Sequence, residues 1–181
     1  MPRPGLQFLF HILQSEQSIL ARTDQKAYTL LSVLGVFMVF FIAYYRMMAI
    51  NMLIVTLLTI YFAAGFLAIY RLVRTIQPRI RGVATPKETG RGRADPTFFG
   101  GIRLFTTSDD YFDYLKEMED DEDEILRLLS RQVYALAHLN WEKNGHLRKG
   151  MQYFVVAIST ELVMILSTFV KMGLDALSTQ G

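Results

Sequence analysis

The sequence predicts an all-α membrane protein: a two-helix transmembrane hairpin, a small cytoplasmic helical insert, and a long helix continuing into a third span. Three observations carry this. Ala27 to Tyr45 gives 19 residues without a formal charge, and Met47 to Tyr70 gives 24 more. A third run of 21 residues between Lys149 and Lys171 holds one charge, Glu161. At about 1.5 Å per helical residue, each run matches the roughly 30 Å of a bilayer's hydrocarbon. The predicted division is 1–26 for an N-terminal cytoplasmic or interfacial helix and 27–70 for the hairpin. The insert, with its basic linker and long helix, takes 71–149, the third span 150–171 and the tail 172–181. Mixed charge before the first run, and a second run directly after it, fit a hairpin that stays embedded and not a cleaved leader.

The 181 residues are 51% apolar, with 19 Lys plus Arg against 17 Asp plus Glu and no cysteine. Without cysteine there is no disulfide framework, thiol nucleophile, iron-sulfur cluster or thiolate zinc site. A net charge of +2 does not suit a duplex nucleic-acid binder, but the cations are unevenly placed. Arg71, Arg74, Arg79, Arg81, Lys87, Arg91 and Arg93 crowd the exit of the second run, offset only by Glu88 and Asp95, whereas the turn between the runs has Arg46 alone. By the positive-inside rule the insert and the N-terminus are cytoplasmic, the Arg46 turn faces out, and the C-terminus lies outside.

Within the insert, Gln77 to Pro96 mixes Pro, Gly and basic residues and reads as an irregular linker along the membrane surface. Thr107-Ser108-Asp109-Asp110 carries a helix-capping pattern opening a short helix with Tyr111, Phe112, Tyr114 and Leu115. From Asp121 to Lys149, Ile125, Leu129, Gln132/Val133, Leu136, Asn140 and Leu147 recur at close to 3.5 residues. That spacing predicts a long helix with a packing seam, and Leu129, Val133 and Leu136 are its candidate contacts with a second copy. The arm from Leu6 to Arg22 is also helically spaced, for packing on this seam or for the membrane interface.

Catalytic motifs are absent, so an enzyme is not expected, and neither a cofactor nor a metal is implied. The acidic run Glu117 to Glu124 lacks EF-hand spacing and reads as a solvated, dipole-matched helix start. His138, Glu142 and His146 share a helical face without a metalloprotease order. Glu161 stands out as the eleventh of the twenty residues from Met151 to Val170, near the bilayer midplane. A charge there costs about 2.5–3.5 kcal/mol on insertion scales, so Glu161 faces water in a pore or gate, or serves as a hydrogen-bonded structural acid. Thr56 and Thr59 match it in depth, and Asn51 sits nearer the outer surface. Ala64 and Ala68 allow close helix approach. The basic residues Arg71, Arg74, Arg79, Arg81, Arg91 and Arg93, with Arg103, Arg131, Arg148 and Lys149, suit anionic lipid headgroups or a polyanionic ligand. Phe98 and Phe99 beside them are stacking candidates if exposed and core if buried.

A resemblance adds to this reading. Asp24, Lys26 and Ala27 within Arg22-Thr23-Asp24-Gln25-Lys26-Ala27-Tyr28 lead directly into the first span. Thr97-Phe98-Phe99-Gly100 follows, then Tyr111 to Leu115, then Arg131-Gln132-Val133-Tyr134-Ala135-Leu136-Ala137 and Lys143 before the last span. In this order they resemble the Pycsar-type transmembrane effectors of bacterial anti-phage defence, with Asp24, Lys26, Gln132, Tyr134 and Lys143 as the motif residues. The resemblance implies a multi-pass protein of the bacterial inner membrane that assembles with itself and forms a pore or ion channel, or otherwise disrupts the membrane. It implies control by a nucleotide signal from a neighbouring nucleotidyltransferase or cyclase; the related Hailong-type channel is controlled by short DNA oligomers. Three spans cannot enclose a water path, so conduction requires a homo-oligomer. The alternative is a non-conducting membrane anchor or scaffold whose insert recruits a cytoplasmic partner.

Overall fold

The computed structural model describes residues 4–47, 51–77, 99–103, 105–119 and 121–178. Among them the helices are α1 (Pro4–Tyr44), a 3-10 turn (Tyr45–Met47), α2 (Met52–Ile76), α3 (Phe99–Ile102), α4 (Ser108–Glu119) and α5 (Glu122–Ser178), with no strand. Helices α1, α2 and α5 are each long and apolar enough to cross a membrane. The hairpin and the long helix that enters the third span are therefore as expected.

The chain divides into two compact units, Met1–Ala21 with Pro78–Trp141, and Arg22–Gln77 with Glu142–Gly181. Both α1 and α5 contribute to each unit. The N-terminal arm is helical and continuous with the first span. It forms the first turns of α1, because Gln7 to Tyr44 contains neither Pro nor Gly except Gly35 and the helix has no reason to stop.

In the unit of Arg22–Gln77 and Glu142–Gly181, three helices pack through positions seven residues apart. Ala27, Leu34 and Phe41 on α1 are buried, as are Ile54, Tyr61, Ala68 and Thr75 on α2, and Gly150, Ala157 and Met164 on α5. A seven-residue repeat keeps one face of each helix against its neighbours, and buried residues three or four positions away, such as Ala64 and Leu72 on α2, widen that face. At one end Ala27, Leu72 and Leu147 form a cluster. Farther along, Phe41 stacks on Tyr61 at 5.2 Å, and Tyr44 meets Phe169 at 6.1 Å. These contacts make α1 and α5 parallel and α2 antiparallel to both, as a hairpin followed by a third span requires. Asn51 closes the start of α2, where its Oδ1 accepts from the Ile54 N–H at 2.8 Å.

Gly150 sets the tightest approach. A Cβ added there would lie 2.9 Å from Leu72 Cδ2, 3.0 Å from Leu72 Cγ and 3.4 Å from Arg71 Cβ. Gly150→Val is therefore expected to destabilise this unit by about 1–3 kcal/mol through overpacking. Gly65→Ala, whose new methyl would sit 3.7 Å from Met38 Cε in ordinary contact, is expected to be tolerated. Thermal unfolding in detergent, followed by circular dichroism, separates the two.

In the other unit, α4 starts at Thr107, whose Oγ1 accepts from the Asp110 N–H at 3.1 Å, as the capping pattern predicts. Phe105 packs on two of the three aromatic residues of α4, with ring centroids 5.1 Å from Tyr111 and 5.4 Å from Tyr114, while Phe112 is exposed. Helix α5 is capped by Asp121 Oδ1, which accepts from the Glu124 N–H at 3.0 Å. Glu122, Asp123 and Glu124 then occupy its first turn, where carboxylates favour the helix dipole.

Candidate functional site

Glu161 lies on the buried face of α5, one turn from Ala157 and from Met164, and is 0% exposed. The heptad phase of α5 fixes this, since Leu147, Gly150, Phe154, Ala157, Glu161 and Met164 recur every three or four residues. Opposite it, the same rule on α2 presents Tyr61. The Tyr61 hydroxyl and the Glu161 carboxyl are close enough to interact electrostatically. No hydrogen bond of good geometry joins them, and Tyr61 Oη, Glu161 Oε1 and Glu161 Oε2 are all buried without one.

The expected partners Thr56 and Thr59 do not meet Glu161. Both are exposed, and each hydroxyl donates to its own helix, Thr56 to the Met52 carbonyl and Thr59 to the Val55 carbonyl, both at 2.9 Å. The reason is helical phase: each stands two residues, about 200° of rotation, from a buried position at Ile54 or Tyr61. Depth alone pointed to the threonines, while the repeat Ile54, Tyr61, Ala68 and Thr75, legible in the sequence, identifies the face and therefore Tyr61. Asn51 is exposed and its side-chain oxygen is engaged as a helix cap.

A second polar group lies near the start of this unit. Lys143 Nζ donates to both carboxylate oxygens of Asp24, at 2.7 and 2.9 Å. The Lys143 side chain is 7% exposed and that of Asp24 30%. One residue away on each helix, the Thr23 hydroxyl donates to Asn144 Oδ1 at 3.4 Å. Two of the five motif residues thus form one ion pair joining α1 to α5. Lys26 is exposed, Gln132 is half-buried, and Tyr134 is 73% exposed with its ring stacked on His138 at 6.1 Å.

In the unit of Met1–Ala21 and Pro78–Trp141, Asn140 Nδ2 donates to the Glu16 carbonyl at 2.9 Å and to Glu16 Oε2 at 2.6 Å. The N-terminal arm therefore packs on the seam. Leu129 is buried within the single chain, and Val133 and Leu136 are half-buried. The chain's own helices already cover much of the face proposed for a second copy.

Of the basic residues, Arg79, Arg81, Arg91 and Arg93 lie outside the described residues, as does Phe98. Phe99 opens α3. Arg103 and Arg131 are exposed. The Arg71 and Arg74 guanidinium carbons lie 5.9 and 5.6 Å from the Tyr70 ring centre. No group of three or more His, Asp or Glu side chains suited to a metal occurs among the described residues. The signal that composition missed is Gly150, which brings α2 and α5 together.

An all-helical chain with three membrane-crossing helices and a polar pair inside their packing is a multi-pass membrane protein. The profile of the Pycsar effector protein domain matches residues 8–170, nearly the whole chain, and the protein belongs to that family. It is a membrane effector of anti-phage defence, and no known class of enzyme is implied by that membership. Neither the search of curated proteins nor that of solved structures returned a match.

Proposed function

We propose that this effector acts as a homo-oligomeric pore or ion channel in the bacterial inner membrane, controlled by a nucleotide or oligonucleotide signal. The observation that carries the reading is Glu161. A carboxyl group without a good hydrogen-bond partner in the packed interior of three spans is costly, and intramembrane ionisable residues of this kind mark ion pathways. In the closed chain Glu161 is sealed between α2 and α5. Opening displaces one helix face and turns Glu161, copied around an oligomer, into a ring of acidic side chains that favours cations.

Assembly uses the surfaces that the single chain leaves uncovered. The outward faces of α1, α2 and α5 carry exposed Val36, Val39, Phe66, Leu162 and Leu166, which lipid or a second copy covers equally well. Leu129, Val133 and Leu136 contribute to assembly only if the N-terminal arm moves off the seam. The signal is a product of a neighbouring nucleotidyltransferase or cyclase, taken by the basic stretch Arg79–Arg93 with Phe98 and Phe99, and by Arg103 and Arg131. The orientation supported by the cation count is N-terminus in and C-terminus out.

The experiment is native mass measurement of the full-length protein in detergent, followed by bilayer current recording with and without nucleotides and short DNA oligomers. An oligomer with signal-dependent current is expected. A monomer without current moves the reading to a non-conducting anchor, which the exposed Tyr134 and Trp141 would serve as a docking face.

A further inference from the structure

We infer that the α2/α5 crossing at Gly150 carries a binding site for the phosphate of an anionic lipid headgroup, built on Arg71, Arg74 and Tyr70 and flanked by Lys149 and Arg148. The inference is independent of whether the protein conducts.

Gly150 comes so close to α2 that a Cβ there would reach Leu72 and Arg71. Arg148 and Lys149, exposed on the preceding half-turn of α5, therefore stand at the same level as the last turns of α2. That level is a membrane boundary from both sides: the uncharged run of α2 ends at Tyr70, and the apolar run of α5, with Glu161 as its one charge, begins at Gly150. Four cations stand at that level.

Among the described residues no carboxylate pairs with them. Helix α2 contains no Asp or Glu. On α1 in this unit the one acid, Asp24, is taken by Lys143. On α5, Glu142 already has a partner, and Glu161 is three turns deeper. Among the described residues none of the four cations has an ion pair. Arg71 adds a sharper observation, because its Nε is buried without a hydrogen-bond partner. A buried, unsatisfied guanidinium N–H is costly, and the group that best satisfies a planar fork of donors at this depth is a phosphate.

Tyr70 organises the pair. Both guanidinium groups lie within 6 Å of its ring centre, which restrains two flexible side chains to one place while the aromatic body remains half-exposed beside the apolar run. An amphipathic ring at the boundary with two cations against it suits a molecule that has an acyl chain on one side and a phosphodiester on the other. Soluble phosphates share only the second feature.

The test uses the full-length protein in a neutral detergent with phosphatidylglycerol or phosphatidylcholine added, read by native mass spectrometry as the fraction of protein carrying one lipid. Phosphatidylglycerol is expected to be retained over phosphatidylcholine. The preference should fall about fivefold for each arginine removed in Arg71→Gln and Arg74→Gln. Lys171→Gln, an exposed cation at the far end of the apolar run of α5, should leave it unchanged. If the Arg71 variant fails to fold, Arg74→Gln alone carries the test, since Arg74 is exposed and its guanidinium rests against the Tyr70 ring. Equal retention of the two lipids overturns the site, as does a Lys171→Gln loss matching that of Arg74→Gln. Displacement of phosphatidylglycerol by equimolar glycerol 3-phosphate would assign the site to a soluble phosphate ester and overturn the lipid.

Discussion

Asp24→Ala is expected to lower the stability of the solubilised protein by about 3 kcal/mol, and Lys143→Met by only about 1 kcal/mol. The asymmetry follows from exposure. Removing Asp24 strands an ammonium that is 7% exposed, whereas removing Lys143 leaves a carboxylate that is 30% exposed and can turn toward water. The double variant Asp24→Leu/Lys143→Met should recover most of the loss, because a buried pair replaced as a whole by apolar groups leaves no unpaired charge. Thermal unfolding in detergent reads all three. Equal losses in the two single variants would mean that the pair is no more buried in the membrane-embedded protein than a surface ion pair.

Glu161 is expected to show the opposite sign. Both its carboxylate oxygens are buried without partners, so Glu161→Leu should stabilise the three-helix unit by about 1–3 kcal/mol, the desolvation cost of the groups removed. The same variant should abolish the growth arrest caused by unregulated expression. Glu161→Gln keeps the size and removes the charge, and should insert and assemble normally while losing cation selectivity. Such a pairing of higher stability with lost activity is the mark of a residue kept for function. If Glu161→Gln and Glu161→Leu arrest growth as the parent does, Glu161 has no part in the ion path. If Glu161→Leu destabilises the protein, it forms a hydrogen bond in the membrane, with Tyr61 as the donor or acceptor.

The spans were legible in the sequence because charge is excluded from hydrocarbon, and nineteen or more uncharged residues leave few other readings. The seam of α5 was legible for a related reason: a 3.5-residue period survives substitution of one apolar residue by another. What was not legible depends on which helix faces which. Thr56 and Thr59 have the right depth for Glu161 and the wrong phase, and depth is the easier of the two to count. The arm before the first span has the same composition whether it ends near residue 26 or runs on into α1; only the absence of a helix-breaking residue distinguished the two. Asp24 and Lys143 were recognisable as motif residues, but their pairing spans 119 positions and has no local signature. Gly150 reads as an ordinary glycine until Leu72 is placed against it.

The ion pair also has a consequence in time. Helices α1 and α2 leave the ribosome long before Lys143 is made, and at about 5–20 residues per second the 119 positions between the partners correspond to about 6–24 seconds. During that interval the hairpin holds Asp24 without its cation, Leu72 without Gly150 and Tyr61 without Glu161. Translation that stalls inside the insert leaves that half-bundle in the membrane, with an unpaired acid at the boundary and the α5-facing residues of α2 uncovered. The order of synthesis thus makes α5 the element that completes the bundle, and none of these three contacts exists before it is made.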